Sequence, residues 1–240
     1  MTIAWRPRRA LRMMAAALAT VTLAACSSDG TQNEGLTLAR TLASSVTGLV
    51  RPADEGDGGP SALEANPAAT IARVLQSQPG PLMLVVVPER DQTALLAPIG
   101  QNLAYRTWAT NSREALILKN GVLAGTRGLG DDLMSSEIES VGALIRGRRA
   151  GQATWTYRYL HGENKVRLLQ LTCTVARGGS ESVQMASGQR LSTVQMIEEC
   201  RGAGREVRNV YFVTGSGRIP QSRQWQGPEI GDIAIQILRF

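Results

Sequence analysis

The chain has 240 residues, 26 Lys+Arg against 20 Asp+Glu, three cysteines and one histidine, with 43% apolar content. That is enough for a folded core and is not the composition of a disordered chain, and a single histidine rules out His-rich metal sites and a His-Glu-x-x-His protease. The pI near 9.8 suggests nucleic acid, but Arg6, Arg8, Arg9 and Arg12 lie before residue 26, where there is no acid. Without that segment the balance is 22 basic to 20 acidic residues, so no nucleic-acid partner is expected.

The basic stretch Arg6–Arg12 is followed by an apolar run from Met13 to Leu23 and then Leu23-Ala24-Ala25-Cys26. The run is too short to span a ~30 Å hydrocarbon core as a helix. Its end resembles the bacterial lipobox, in which the cysteine is acylated and becomes the first residue after cleavage. Residues 1–25 are therefore expected to be a lipoprotein signal peptide and Cys26 the lipidation site. At about 0.8 kcal/mol per buried methylene, several acyl chains would hold the protein on a bilayer. Ser27 follows Cys26 where an Asp would resemble an inner-membrane retention signal, so the outer membrane, facing the periplasm, is expected.

Residues 26–66 read as the acylated anchor, a polar spacer and an N-terminal helix over 35–50, ending in the Gly/Pro-rich stretch 51–60. Asn66-Pro67 predicts a second helix start, with Ile71, Val74 and Leu75 on one face and Pro79-Gly80 as its stop. Residues 67–240 are expected to form one β-rich periplasmic domain. Strands are predicted at 82–88, 93–99, 103–109, 114–119 and 122–126, with Asn120-Gly121 as a type I′ turn. The span 133–149 predicts one inserted helix, begun by Asp131 and Asp132, whose charges suit its positive end. Further strands are predicted at 153–160 and 165–176, around a turn containing His161, and at 206–214, 218–226 and 230–238. The fold class is mainly β: an antiparallel meander forming a sandwich or barrel-like body. A membrane-spanning barrel is not expected, because four Trp, four Tyr and two Phe cannot supply its aromatic girdles.

Cys173 and Cys200 remain after lipidation; an even pair in an oxidising compartment suggests a disulfide. Leu169, Leu171, Cys173 and Val175 alternate, so Cys173 should point inward. No catalytic set, metal site or cofactor is expected. Asp131 and Asp132, with Glu137 and Glu139 nearby, form the best acidic cluster, but adjacent residues rarely straddle a glycosidic bond. Gly128-Leu129-Gly130 lacks the P-loop lysine.

The lipobox, Trp108, the run Thr126-Arg127-Gly128-Leu129-Gly130-Asp131-Asp132-Leu133, then Glu199-Cys200, Gly217-Arg218-Ile219 and Gln224-Trp225 together resemble the YjbF/GfcB-type capsule lipoprotein family, from about residue 70 onward. The resemblance implies an outer-membrane lipoprotein, a non-catalytic accessory of capsule or exopolysaccharide secretion or assembly. It would work with a periplasmic partner and an outer-membrane barrel. It implies no catalytic residues. Trp108, Arg127, Asp131, Asp132 and Trp225 are the candidate contacts for glycan or partner, with Trp155 and Tyr157 as further aromatics. Arg127 and Trp108 are expected to form a rim, or the loop is a structural corner. The competing class is a periplasmic glycan-modifying enzyme using a carboxylate pair, recognisable by two carboxylates facing across a cleft.

Overall fold

The computed structural model describes residues 67–161 and 165–240, so the signal, anchor, spacer and first helix lie outside the described residues, as do 162–164 of the predicted turn after His161. Helix α1 (Pro67–Ser77) begins at the predicted proline. It is followed by β1 (Leu82–Val87), β2 (Gln92–Asn102), β3 (Tyr105–Ala109), β4 (Ala115–Lys119) and β5 (Val122–Arg127). After β6 (Leu133–Glu137) and α2 (Glu139–Arg146) come β7 (Gly151–His161), β8 (Lys165–Gln184), β9 (Arg190–Gly202), β10 (Arg205–Thr214), β11 (Gln221–Gly227) and β12 (Gly231–Arg239).

All twelve strands form one antiparallel sheet in the order β5-β4-β3-β2-β1-β12-β11-β10-β9-β8-β7-β6. Every connection is to a sequence neighbour except β1–β12, which joins the two halves of the meander. The sheet curls until its edges, β5 and β6, lie side by side as a nearly closed barrel. At Gly125 the strands come so close that a Cβ would stand 3.1 Å from the Leu133 carbonyl.

The barrel interior is the main core. Strand alternation sends Trp155, Tyr157 and Tyr159 of β7 inward as a stacked column, with centroids 4.6 and 6.0 Å apart. Leu169, Leu171, Cys173 and Val175 of β8 are buried beside them, as their alternation predicts. A smaller cluster lies on the outer face, where Ile71, Val74 and Leu75 of α1 pack against Leu82, Leu84, Val86, Val210 and Phe212. The unbroken apolar run of β1 follows from this arrangement. Met83, Val85 and Val87 join the interior while Leu82, Leu84 and Val86 join the outer cluster, so both faces are buried. Elsewhere the outer wall carries ion pairs such as Arg158–Glu137 and Arg208–Glu199. An apolar interior with a charged wall is the reverse of a membrane-spanning barrel. No helix among the described residues is long and apolar enough to cross a membrane.

Asn120 (φ 52°) and Gly121 (φ 93°) form the predicted turn between β4 and β5. Three expectations are corrected. The helix predicted over 133–149 is confined to 139–146, and its first five positions form β6. The β6 backbone pairs with β7, and Leu133 and Ser136 are buried against β5, which together outweigh the local 3.6-residue period. Asp131 and Asp132 consequently do not start a helix. Strand β8 runs on to Gln184, because Gly178-Gly179 makes a bulge against β9 rather than a stop. Strand β9 was not foreseen at all: Gln195, Glu198 and Glu199 interrupt its apolar pattern, yet Gln195 and Glu198 are buried.

Candidate functional site

The run Thr126–Leu133 lies where the barrel closes. An edge strand leaves backbone N–H and C=O groups without ladder partners, and burial makes these costly. Side chains supply the partners here. Ser136 Oγ donates to the Leu123 carbonyl (3.1 Å), and the Leu133 amide donates to Thr126 Oγ1 (2.9 Å). Arg127 extends across the gap and donates to the Leu133 and Met134 carbonyls of β6 (3.2 and 3.4 Å). From inside the barrel, Gln224 Oε1 accepts the Leu123 amide (2.7 Å) while its Nε2 donates to the Gly121 carbonyl (3.0 Å). Gln226 Nε2 donates to the Asp131 carbonyl (2.8 Å). Both glutamines are fully buried.

The loop between β5 and β6 is organised by Asp132. Its carboxylate accepts from the Gly128 amide (2.7 Å), the Leu129 amide (3.1 Å) and Thr126 Oγ1 (3.0 Å). Gly128 (φ 77°) and Gly130 (φ 105°) take backbone conformations that L side chains rarely adopt. Asp131 stands 3.9 Å from Arg167. Arg127 and Asp132 thus have internal partners, the arrangement expected of a structural corner. Arg127→Ala is expected to destabilise the fold by about 1–3 kcal/mol, since a charged donor and two carbonyl acceptors lose their bonds. At ~2–4 °C per kcal/mol this is visible by thermal melting. A variant that melts normally but no longer supports polymer secretion would instead assign Arg127 to a binding surface.

The other candidates are dispersed. Trp108 is buried in the core beneath the Arg106 guanidinium, 5.6 Å from the ring centroid, and lines a cavity that Arg127 does not share. Trp225 is partly buried, edge-on to Tyr157 at 5.7 Å, and its amide donates to Asn209 Oδ1 (2.7 Å). Trp155 and Tyr157 are buried within the barrel. Glu137 pairs with Arg158, and Glu139 with Lys119.

Carboxylates do not face one another across four cavities of the described residues. The cavities lined by Trp108, by Met185 and by Arg205 contain none, and the one lined by Leu96 contains only Glu114, which accepts from Thr110.

A buried polar centre missed in the sequence lies on β9. Glu198 is fully buried and accepts from Asn209 Nδ2 and Tyr211 Oη, both at 2.9 Å. Burial raises its carboxyl pKa to about 7 against the lowering effect of those bonds. The Tyr157 and Tyr211 phenols are pushed up chiefly by the same burial. Cys173 and Cys200 face each other across β8 and β9 and form a disulfide, with Cys200 Sγ 3.3 Å from Glu198 Oε1. The two sulfurs and the carboxylate lie within 4.8 Å, a metal-like grouping, but the disulfide leaves no thiolate to serve as ligand. The one available signal was alternation: Val194, Met196, Glu198 and Cys200 share a face, which places Glu198 beside an inward cysteine.

The fold and its polar closure define a class of twelve-stranded, nearly closed antiparallel barrel with a packed interior. Among solved structures, the lipoprotein YmcC from Escherichia coli K12 is similar with a TM-score of 0.60 and 18% identity, covering 77% of this chain and 98% of that one. An exported protein with a YmcC-like fold from Bacteroides fragilis aligns at TM-score 0.27 and 8% identity, over 66% of this chain and 93% of that one. The fold likeness is drawn from YmcC alone. No curated protein matches the sequence. Residues 39–238 match the family described as group 4 capsule polysaccharide lipoprotein GfcB, YjbF. The chain belongs to that family.

Proposed function

We propose that the protein is a non-catalytic accessory of capsule or exopolysaccharide secretion or assembly, held by acyl chains on Cys26 at the periplasmic face of the outer membrane. The observation that carries this reading is the family match over residues 39–238, joined to the Leu23–Cys26 lipobox upstream of it. The domain plan follows: a signal over 1–25, an anchor and spacer over 26–66, and a β-rich periplasmic domain from 67 onward. An outer-membrane barrel and a periplasmic secretion protein are the proposed partners, with the polysaccharide as cargo.

The competing reading, a glycan-modifying enzyme, needs two carboxylates at ~5–10 Å across a cleft. Asp132 is committed to its own loop and Asp131 lies beside Arg167. This arrangement favours the accessory. Cys26→Ser is expected to abolish acylation and remove the protein from outer-membrane fractions, with loss of surface polymer. Fractionation of envelopes in high salt and carbonate measures the first effect. Retention of the substituted protein on outer membranes would refute anchoring through Cys26.

A further inference from the structure

At one end of the barrel, the β2–β3 and β4–β5 turns meet the last turn of α2 and the β10–β11 turn around a cavity of ≈ 340 Å³. Its charged lining consists of Arg106, Arg146 and Arg218, with no Asp or Glu. None of these guanidiniums is ion-paired among the described residues. By contrast, the wall arginines Arg158, Arg201 and Arg208 each face a carboxylate.

The three cations are also held in place. Arg106 lies over the Trp108 ring and donates through Nε and Nη2 to Gln101 Oε1 (3.2 and 2.9 Å). Arg218 lies over the Phe240 ring, 4.4 Å from its centroid. Arg146 Nε donates to the Gly217 carbonyl (3.2 Å). A guanidinium stacked on a ring can still turn N–H groups toward a planar anion, through Nη1 in the case of Arg106, and it is less hydrated than an ammonium. Asn120 adds an amide suited to hydroxyl groups.

Arg218 and Phe240 also line a second cavity of ≈ 280 Å³, bounded by Ser187 and Gln189 of the β8–β9 turn. The two cavities adjoin at Arg218 and Phe240, which suits an extended ligand. The first is at the lower end of the ~300–1,000 Å³ range for small-ligand sites. The concavity is unlike the flat or protruding contact that an anionic bilayer requires, and of the two exposed apolar side chains that line it, Leu103 and Phe240, the second lies beneath the Arg218 guanidinium.

Resting on the capsule-accessory reading, we infer that this arginine-lined double cavity binds an acidic polysaccharide through the carboxylates of its sugar units. Guanidinium–carboxylate pairs supply the charge-assisted bonds, and the Asn120 amide contacts sugar hydroxyls.

The test is calorimetric titration of the full-length protein in detergent with hexagalacturonate, with the neutral maltohexaose in parallel. Hexagalacturonate is expected to bind at least about tenfold tighter than maltohexaose, and to weaken as salt is raised. Arg106→Ala and Arg218→Ala are each expected to weaken it about tenfold, with melting temperature retained, while Arg201→Ala on the wall leaves it unchanged. Equal binding of maltohexaose, or affinity indifferent to both groove substitutions, would overturn the inference. So would binding to phosphatidylglycerol vesicles with the same arginine dependence, which would make this end a membrane contact. The two proposals fail separately. Normal surface polymer after deletion of the gene defeats the accessory reading. Reduced surface polymer after deletion, with no hexagalacturonate binding, defeats the groove alone.

Discussion

Glu198→Gln is expected to stabilise the protein at pH 8 by about 3 kcal/mol and to flatten its stability between pH 5 and 8. The carboxyl has no solvent exposure, and burial holds its pKa at about 7 against an ordinary value of 4.5. Below the ordinary value both folded and unfolded chains carry the proton. Between the two values the unfolded chain has released it and the folded chain retains it, so stability falls as pH rises. Above about 7 the full cost is in place, because a charge sits among Asn209, Tyr211 and Tyr157 without an opposite charge. Glutamine can still accept from Asn209 and Tyr211 and has no charge to bury. Urea midpoints measured at pH 5, 6, 7 and 8 for both proteins decide the matter. Parallel curves would show that Glu198 does not govern this pH range.

Removing the disulfide through Cys173→Ala with Cys200→Ala is expected to cost about 3–4 kcal/mol, the chain-entropy value for closing a loop of this size. The cysteines are separated by 27 positions and lie directly opposite in the β8–β9 ladder, so the link excludes unfolded conformations in which these strands part. Urea denaturation of oxidised wild type and the double variant measures the difference. Maleimide labelling of a denatured, unreduced envelope sample tests the bond itself, and two labelled thiols would refute it. Because Cys200 Sγ touches the Glu198 carboxylate, the effects of the two substitutions should not add, and the triple variant measures their coupling.

The buried centre and the barrel closure depend on the same kind of residue, a polar side chain pointing inward from a strand. Gln224, Gln226 and Glu198 have no solvent exposure, yet their types suggest a solvated face. Burial is tolerated because each has a partner far away in sequence: Leu123 and Gly121 for Gln224, Asp131 for Gln226, Asn209 and Tyr211 for Glu198. The same dependence explains the span 133–137. Its local period favours a helix, and only the ladder with β7, with β5 close on the other side, makes a strand the better use of its backbone.

From the sequence alone came the all-antiparallel β character, most strand positions, the Asn120-Gly121 turn, the α1 start, the inward Cys173 and the family resemblance. These depend on local signals: alternation, turn residues and helix-start chemistry act over a few residues and are written contiguously. The closure of the meander into a barrel, the identity of β9 and the inward polar residues were decided only in three dimensions. So was the separation of Trp108 from Arg127, and with it the gathering of Arg106, Arg146 and Arg218 at the same end of the barrel. Those features join positions up to a hundred or more residues apart, as in the bond between Leu123 and Gln224. Their energy comes from satisfying groups that burial would otherwise strand, and that partnership exists only once the chain has folded.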